Sequence, residues 1–300
     1  MRAVVVAALC VGALLHAHDA VGQVADLGHK LPGGIGLDAG TQPDQGLYVA
    51  NRVVWFASDQ VNDRNGVAVP IENLDIDAFA DVIGIAGTLE LHGIYVGAGF
   101  AVPIVGLSLS SDQPVASVDR LGLGDIFVEP LRLGTRFSHL DTVASYSFYA
   151  PTGQGATSAV GQPQWSQQVS WGGTVFFDDR RGWRVSALAS YLHNSEKLGI
   201  DITRGDSVQI QGGAGGRFFG VLDVGIAGYA LWQVTDDRGS ALPPQLRGAR
   251  ERVFGVGPEV DWAIPALRTR LTARFEWDLG GEARPVGTIL VFGATVAAVK

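Results

Sequence analysis

Thiols and charge are scarce in this chain. It holds one cysteine and one methionine in 300 residues, and 17% of its positions are charged. Cys10 falls inside the apolar start of the chain, so removal of that start leaves no thiol. Disulfides, thiol catalysis and Cys-ligated metals are then excluded. A basic stripe is also missing and the net charge is −8, which argues against a nucleic-acid partner. After residue 15 no apolar run is long enough for a spanning helix, although the mean hydropathy is +0.20. What is present is 47% hydrophobic residues and 41 glycines. A chain this apolar has either a large soluble core or apolar residues spread over alternating strands.

Met1-Arg2 followed by Ala3–Leu15 has the charged start and apolar core of a signal peptide. Cleavage after Ala17 or Gly22 fits the small residues there, so residues 1–22 read as signal and the protein as exported. Residues 23–46, rich in Gly and Pro from Gly28 onward, read as an N-terminal periplasmic extension, and 47–300 as the folded body.

That body divides into about twelve strand-like runs near the ~9–11 residues that a tilted membrane strand needs. In Leu140–Ala150, Leu140, Ala144, Tyr146 and Phe148 share one parity, against Asp141, Ser145 and Ser147. Connections alternate between long (Asp59–Asn73, Ile104–Gly124, Pro151–Ser166, Asn194–Gly205, Asp236–Arg250, with a shorter Gly280–Pro285) and short. The short ones are Gly87-Thr88, Ser138-His139, Asp178–Gly182, Gly220 and Pro265-Ala266. Long extracellular loops alternating with short periplasmic turns, over an even strand count, mark an outer-membrane barrel. A soluble sandwich has no reason to sort its loops so. The expected fold is all-β, an antiparallel transmembrane β-barrel of about 12 strands with both termini in the periplasm. Phe137, Phe177, Trp183, Phe219 and Trp262 beside short turns, and Trp55, Tyr149, Trp232 and Trp277 nearer long loops, fit two interfacial girdles. One strand, Val286–Ala298, fails the parity test, because Ile289, Leu290, Val291 and Phe292 are apolar in succession.

Charges on strand parities are the candidate lumen groups. For a solute path these are Arg268, Arg270, Arg274 and Glu276, with Asp223, Tyr229, Gln233, Arg217, Arg132 and Arg136. Asp75, Asp77, Asp81, Asp141, Arg184, Glu259, Asp261 and Asp278 extend the set, and Arg268, Arg270 and Arg274 form its densest positive strip. Such groups either line a permeation path or pair with one another and fill a narrow barrel. A hydrolase would need a nucleophile, a base and an orienting acid, and His193-Asn194-Ser195 is the one rim cluster offering the parts. No catalytic, metal or cofactor set is assigned. Gly212–Gly216 has no helix after it to cradle a phosphate, and within a strand marks a bend or a close approach.

The chain also carries short motifs in order: Gly28-His29 with Pro32-Gly33, Gly46-Leu47-Tyr48, and Gly122-Leu123-Gly124-Asp125-Ile126 with Pro130, Leu133 and Gly134. Pro151-Thr152-Gly153, Gln233-Val234-Thr235-Asp236-Asp237 and Gly257-Pro258 follow. In these it resembles the MetA-pathway of phenol degradation family, the SphA-like outer-membrane transporters. The resemblance implies a bacterial outer-membrane barrel that takes up small apolar or aromatic solutes, with lipid and the barrel-insertion machinery as partners, and brings no catalytic residues. A barrel hydrolase and a plugged structural barrel without transport are the alternatives. The chain departs from the usual pattern in ending Ala297-Ala298-Val299-Lys300, without a terminal aromatic.

Overall fold

The computed structural model describes residues 29, 32–113, 115–153 and 160–299. The expected signal segment, with Cys10, Ala17 and Gly22, lies outside the described residues. Thirteen strands follow one another: β1 (Gly46–Asn62), β2 (Asp75–Leu91), β3 (Ile94–Asp112), β4 (Val115–Leu123), β5 (Ile126–Arg136), β6 (Leu140–Ala150) and β7 (Ser166–Phe176). The remainder are β8 (Arg184–Asn194), β9 (Ser207–Phe218), β10 (Leu222–Gln233), β11 (Arg252–Ile264), β12 (Thr269–Glu282) and β13 (Arg284–Val299).

Each strand pairs antiparallel with its sequence neighbour except β4 with β5, and β1 pairs β13 from Leu47↔Val299 to Asn62↔Arg284. That pairing closes the sheet, which removes the edges that lipid cannot satisfy. β3 is long enough to hold two partners. Its first part pairs β5 (Ile94↔Thr135) and its second part pairs β4 (Ile104↔Leu123). β4 and β5 are therefore two halves of one wall strand, broken at Gly124-Asp125, and the closed barrel has twelve wall strands as expected.

Three boundaries differ from the sequence reading. Ile104–Gly124 is not a loop but the upper part of β3 together with β4. The first short turn is His92-Gly93, both with positive φ (53° and 82°), not Gly87-Thr88; that is the backbone of a two-residue primed hairpin. Gly280–Pro285 shrinks to Ala283 alone, also at positive φ. Propensity saw glycines as breaks where the ladder runs straight through them.

Parity sorts the faces cleanly in β7 and β8. Arg184, Ser186, Leu188, Ser190, Leu192 and Asn194 are buried while Val185 and Tyr191 are exposed. Trp171, Phe177, Trp183, Phe219 and Trp262 stand exposed on the outside, as a lipid-facing wall with an interfacial girdle requires. β1 and β2 invert the inner chemistry. Val54, Phe56, Ile76 and Ala78 are buried with Ile289 and Val291 of β13, Leu231 of β10 and Val253 of β11. The alternate parity carries Asp75, Asp77 and Asp81 outward. Trp55 Nε1 donates to Asp77 at 2.7 Å and Asn51 Nδ2 to Asp81 at 2.5 Å on that outer face. These three aspartates are not lumen charges, as the sequence reading had them. An alternating strand names two faces without saying which is inner, and here the inner one meets an apolar cluster. The same cluster explains β13: Ile289 and Val291 face it, while Leu290 and Phe292 face lipid.

Candidate solute path inside the barrel

The segment ahead of β1 does not remain in the periplasm, as expected of an extension: residues 32–43 are buried or half-buried within the barrel. Backbone N–H groups of Ile35, Leu37, Gly40 and Gln42 donate to Gln211, Glu259, Ser186 and Asp141, at 3.2, 3.0, 2.7 and 3.3 Å. A segment without regular structure can be buried only if its polar backbone finds such partners. Leu37 is fully buried. Its Cδ2 would lie 3.0 Å from a Cβ at Gly213 or Gly215 and 2.7 Å from one at Gly225, so the glycine run is the notch that admits it. The close approach read from Gly212–Gly216 is made by this segment. At its far end His29 Nε2 donates to Asp125 (2.9 Å), its Nδ1 shares a hydrogen bond with the Ser166 hydroxyl (2.7 Å), and the ring stacks on Tyr149 at 4.9 Å. Those contacts fasten the segment beside the break between β4 and β5.

Charges of the lumen are consumed by one another and by this segment. Asp38 lies 3.0 Å from Arg184 and 2.6 Å from Arg270. Asp223 holds Arg184, Arg217 and Arg270 at 3.1, 2.7 and 2.8 Å, and Asp261 holds Arg270 at 2.8 Å. Arg274 sits between Glu259 (3.2 Å) and Glu276 (3.3 Å), all three buried. Near the periplasmic end Arg136 meets Asp44 at 2.6 Å, and Asp141 takes Arg181 at 2.5 Å. Inward charges away from bulk water require such partners.

Above the segment the lumen changes character. One wall is the apolar cluster of β1, β2, β13, β10 and β11. The other is mainly amides and hydroxyls: Ser170, Ser190 and Gln209 form one cross-strand row that ends at Leu231 of the apolar cluster, and Gln168, Ser207 and Gln233 form the next with Leu192 between them. Between them and the His29 ring is a cavity of about 470 Å³, counting the part open to solvent. Arg204 and Glu251 border it as a 2.6 Å ion pair.

Residues 58–292 match the family described as "Putative MetA-pathway of phenol degradation". The chain belongs to this family. An outer-membrane channel of Pseudomonas putida F1 shares the barrel, with TM-score 0.75 and 14% identity over 89% of this chain and 99% of that one. The beta domain of the Bordetella autotransporter BrkA (TM-score 0.50, 16% identity, 85% and 100% covered) is a more distant likeness of fold. So is the transport unit of the Escherichia coli autotransporter AIDA-I (0.52, 8%, 85% and 90%). The sequence has no match among curated proteins. Membership and fold place the chain in the bacterial outer membrane.

In this family member the residues singled out from sequence divide into three groups. Arg270, Arg274, Glu276, Asp223 and Arg217 gather in the ion-pair network already described, and Arg136 anchors Asp44 of the inner segment. Tyr229 and Gln233 belong to the upper lumen, where the Tyr229 hydroxyl donates to Asp278 and Gln233 Nε2 donates to Asp237 at 2.7 Å. Arg268 does not join them; it caps the turn before β12 in left-handed conformation, exposed, so the positive strip loses its first member. Arg132 pairs locally with Glu129 at 3.1 Å. His193 contacts Asp206 (3.0 Å), whereas the Ser195 hydroxyl takes Trp165 N and donates to Glu196 O, so the rim trio does not assemble a nucleophile with its base. Sequence reading missed His29, Asp38 and Gln209 as lumen groups. For His29 a signal existed in the Gly28-His29 motif; for Asp38 none did, since it lies outside any strand period.

Proposed function

We propose that this barrel passes small solutes with an apolar or aromatic body across the outer membrane. The observation that carries the reading is the apolar cluster inside the extracellular half of the lumen, where Val54, Phe56, Ile289 and Val291 are buried on the face a water-filled pore would make polar. Family membership supports it, as does a solved relative of the same fold named an outer-membrane channel. A solute would enter from the long-loop end, pass between the apolar wall and the amide lattice, and descend once residues 32–43 shift. Asp38 is the main electrostatic tether of that segment. Its insertion would use the barrel-insertion machinery.

The second reading, a plugged barrel without transport, is favoured by the ion-paired segment in the lower lumen. Planar-bilayer conductance of the refolded protein separates the two. Uptake predicts low conductance that rises several-fold in Asp38→Asn, and swelling of vesicles in small neutral aromatic solutes. Silent bilayers for both proteins, each correctly folded, would leave the plugged barrel.

A further inference from the structure

We infer that the cavity above the inner segment is a binding site for a neutral solute that presents a hydrogen-bonding group from an apolar body. This rests on the uptake reading and names the chemistry of its first station. Gln209 is 3% exposed, lines the cavity, and has no hydrogen-bond partner for either Oε1 or Nε2 among the described residues. A buried carboxamide left without partners is costly, which makes each such group a question about what meets it. Its row neighbours are Ser190 on β8 and Leu231 on β10. A donor and an acceptor are therefore offered side by side, next to an aliphatic surface continuous with the apolar cluster.

Charge on the ligand is disfavoured by what surrounds this amide. The lining cation and anion, Arg204 and Glu251, are spent on each other at 2.6 Å. Gln233 is held by Thr235 O and Asp237. An entering carboxylate would have to break the Arg204 pair, leaving Glu251 only the longer contact with Arg284 at 3.8 Å; an amide or alcohol would need only Gln209. The enclosed part of the cavity has the room of a water or two. A ring therefore enters when His29, held at the long-loop end of β7 by Ser166, yields, which joins binding here to movement of the inner segment.

The test is calorimetric titration of the refolded full chain in detergent with benzamide, benzyl alcohol, toluene and benzoate. Benzamide and benzyl alcohol should bind more tightly than toluene, and benzoate most weakly. Gln209→Met, which keeps the length and removes both polar atoms, should weaken benzamide about tenfold, the worth of one net hydrogen bond, and leave toluene unchanged. Leu231→Thr should do the reverse, weakening toluene more than benzamide; heat-dependent gel mobility checks that both variants are folded. Equal binding of all four probes to wild type and both variants, or benzoate binding tightest, would overturn the inference. Flux through vesicles with Gln209-independent binding removes the site alone. Gln209-dependent binding without flux removes the channel and keeps the site.

Discussion

At the scale of single residues, the lumen is organised by groups that satisfy two partners at once. Arg274 is the clearest, buried between Glu259 and Glu276. Arg274→Met keeps most of the stem but leaves two carboxylates facing each other. Breaking a buried pair in this way costs about 3–5 kcal/mol, so the variant should unfold at markedly lower temperature on heated gels. Arg274→Met with Glu259→Gln and Glu276→Gln should recover much of the loss. On the periplasmic side Asp178 accepts from Trp183 N at 2.6 Å and Gly182 N at 2.9 Å. Those backbone bonds, Trp183's first, hold its carboxyl below the usual carboxylate range against the opposing effect of burial. A folded pKa below the unfolded value stabilises fully above about pH 4 and is lost as pH falls through the folded value. Amide exchange at Trp183 should accordingly quicken, relative to neighbouring turns, as the solution is acidified, and Asp178→Asn should abolish that difference.

Elements repeat the lesson with a different balance on each. β8 is polar inside and apolar outside, so its parity reads directly. β13 is apolar on both faces because Ile289 and Val291 meet the inner cluster while Phe292 meets lipid. Substituting either face of β13 should therefore be penalised. Phe292→Arg is expected to destabilise by about 2–4 kcal/mol near the bilayer midplane, and Val291→Asn by about 1–3 kcal/mol through an unsatisfied buried amide. Denaturant titration in lipid vesicles, comparing both with Ser190→Ala, checks this; a tolerant Val291→Asn would mean that the inner wall is wet. β3 and β4 rise together above the level where β5 ends, and among the described residues β4 has a paired strand on one side only. Polar Asp75, Asp77, Ser108 and Asp119 occupy the outer parity of this raised part, over an inner face of Ile76, Ala78, Leu107 and Leu109.

For the whole molecule, closure, strand count and four of the six long connections were legible, because each follows from period-two patterning repeated many times. Inside and outside were legible only where one face was polar. Asp75, Asp77 and Asp81 alternated correctly and were placed on the wrong side, since nothing local to β2 reports the apolar neighbours that β13 and β11 bring. The inner segment was illegible for a related reason. Leu37 and Asp38 have no period, and their partners lie more than a hundred residues away in Arg184, Arg270 and Glu259. Only the glycine run hinted at a visitor, without saying which. Arg268 was misplaced by one turn residue, the step between a strand face and its cap.

The pairing of β1 with β13 has a consequence for how this molecule is made. The ring cannot be sealed until the last strand has arrived, and the stretch just ahead of the first strand has to end inside it, enclosed as the ring seals or threaded in afterwards. Assembly is thus a threading problem as well as a folding one. A compact domain fused ahead of residue 32 should stall the seam or leave the stretch outside the lumen, whereas an unstructured tag of the same length should pass.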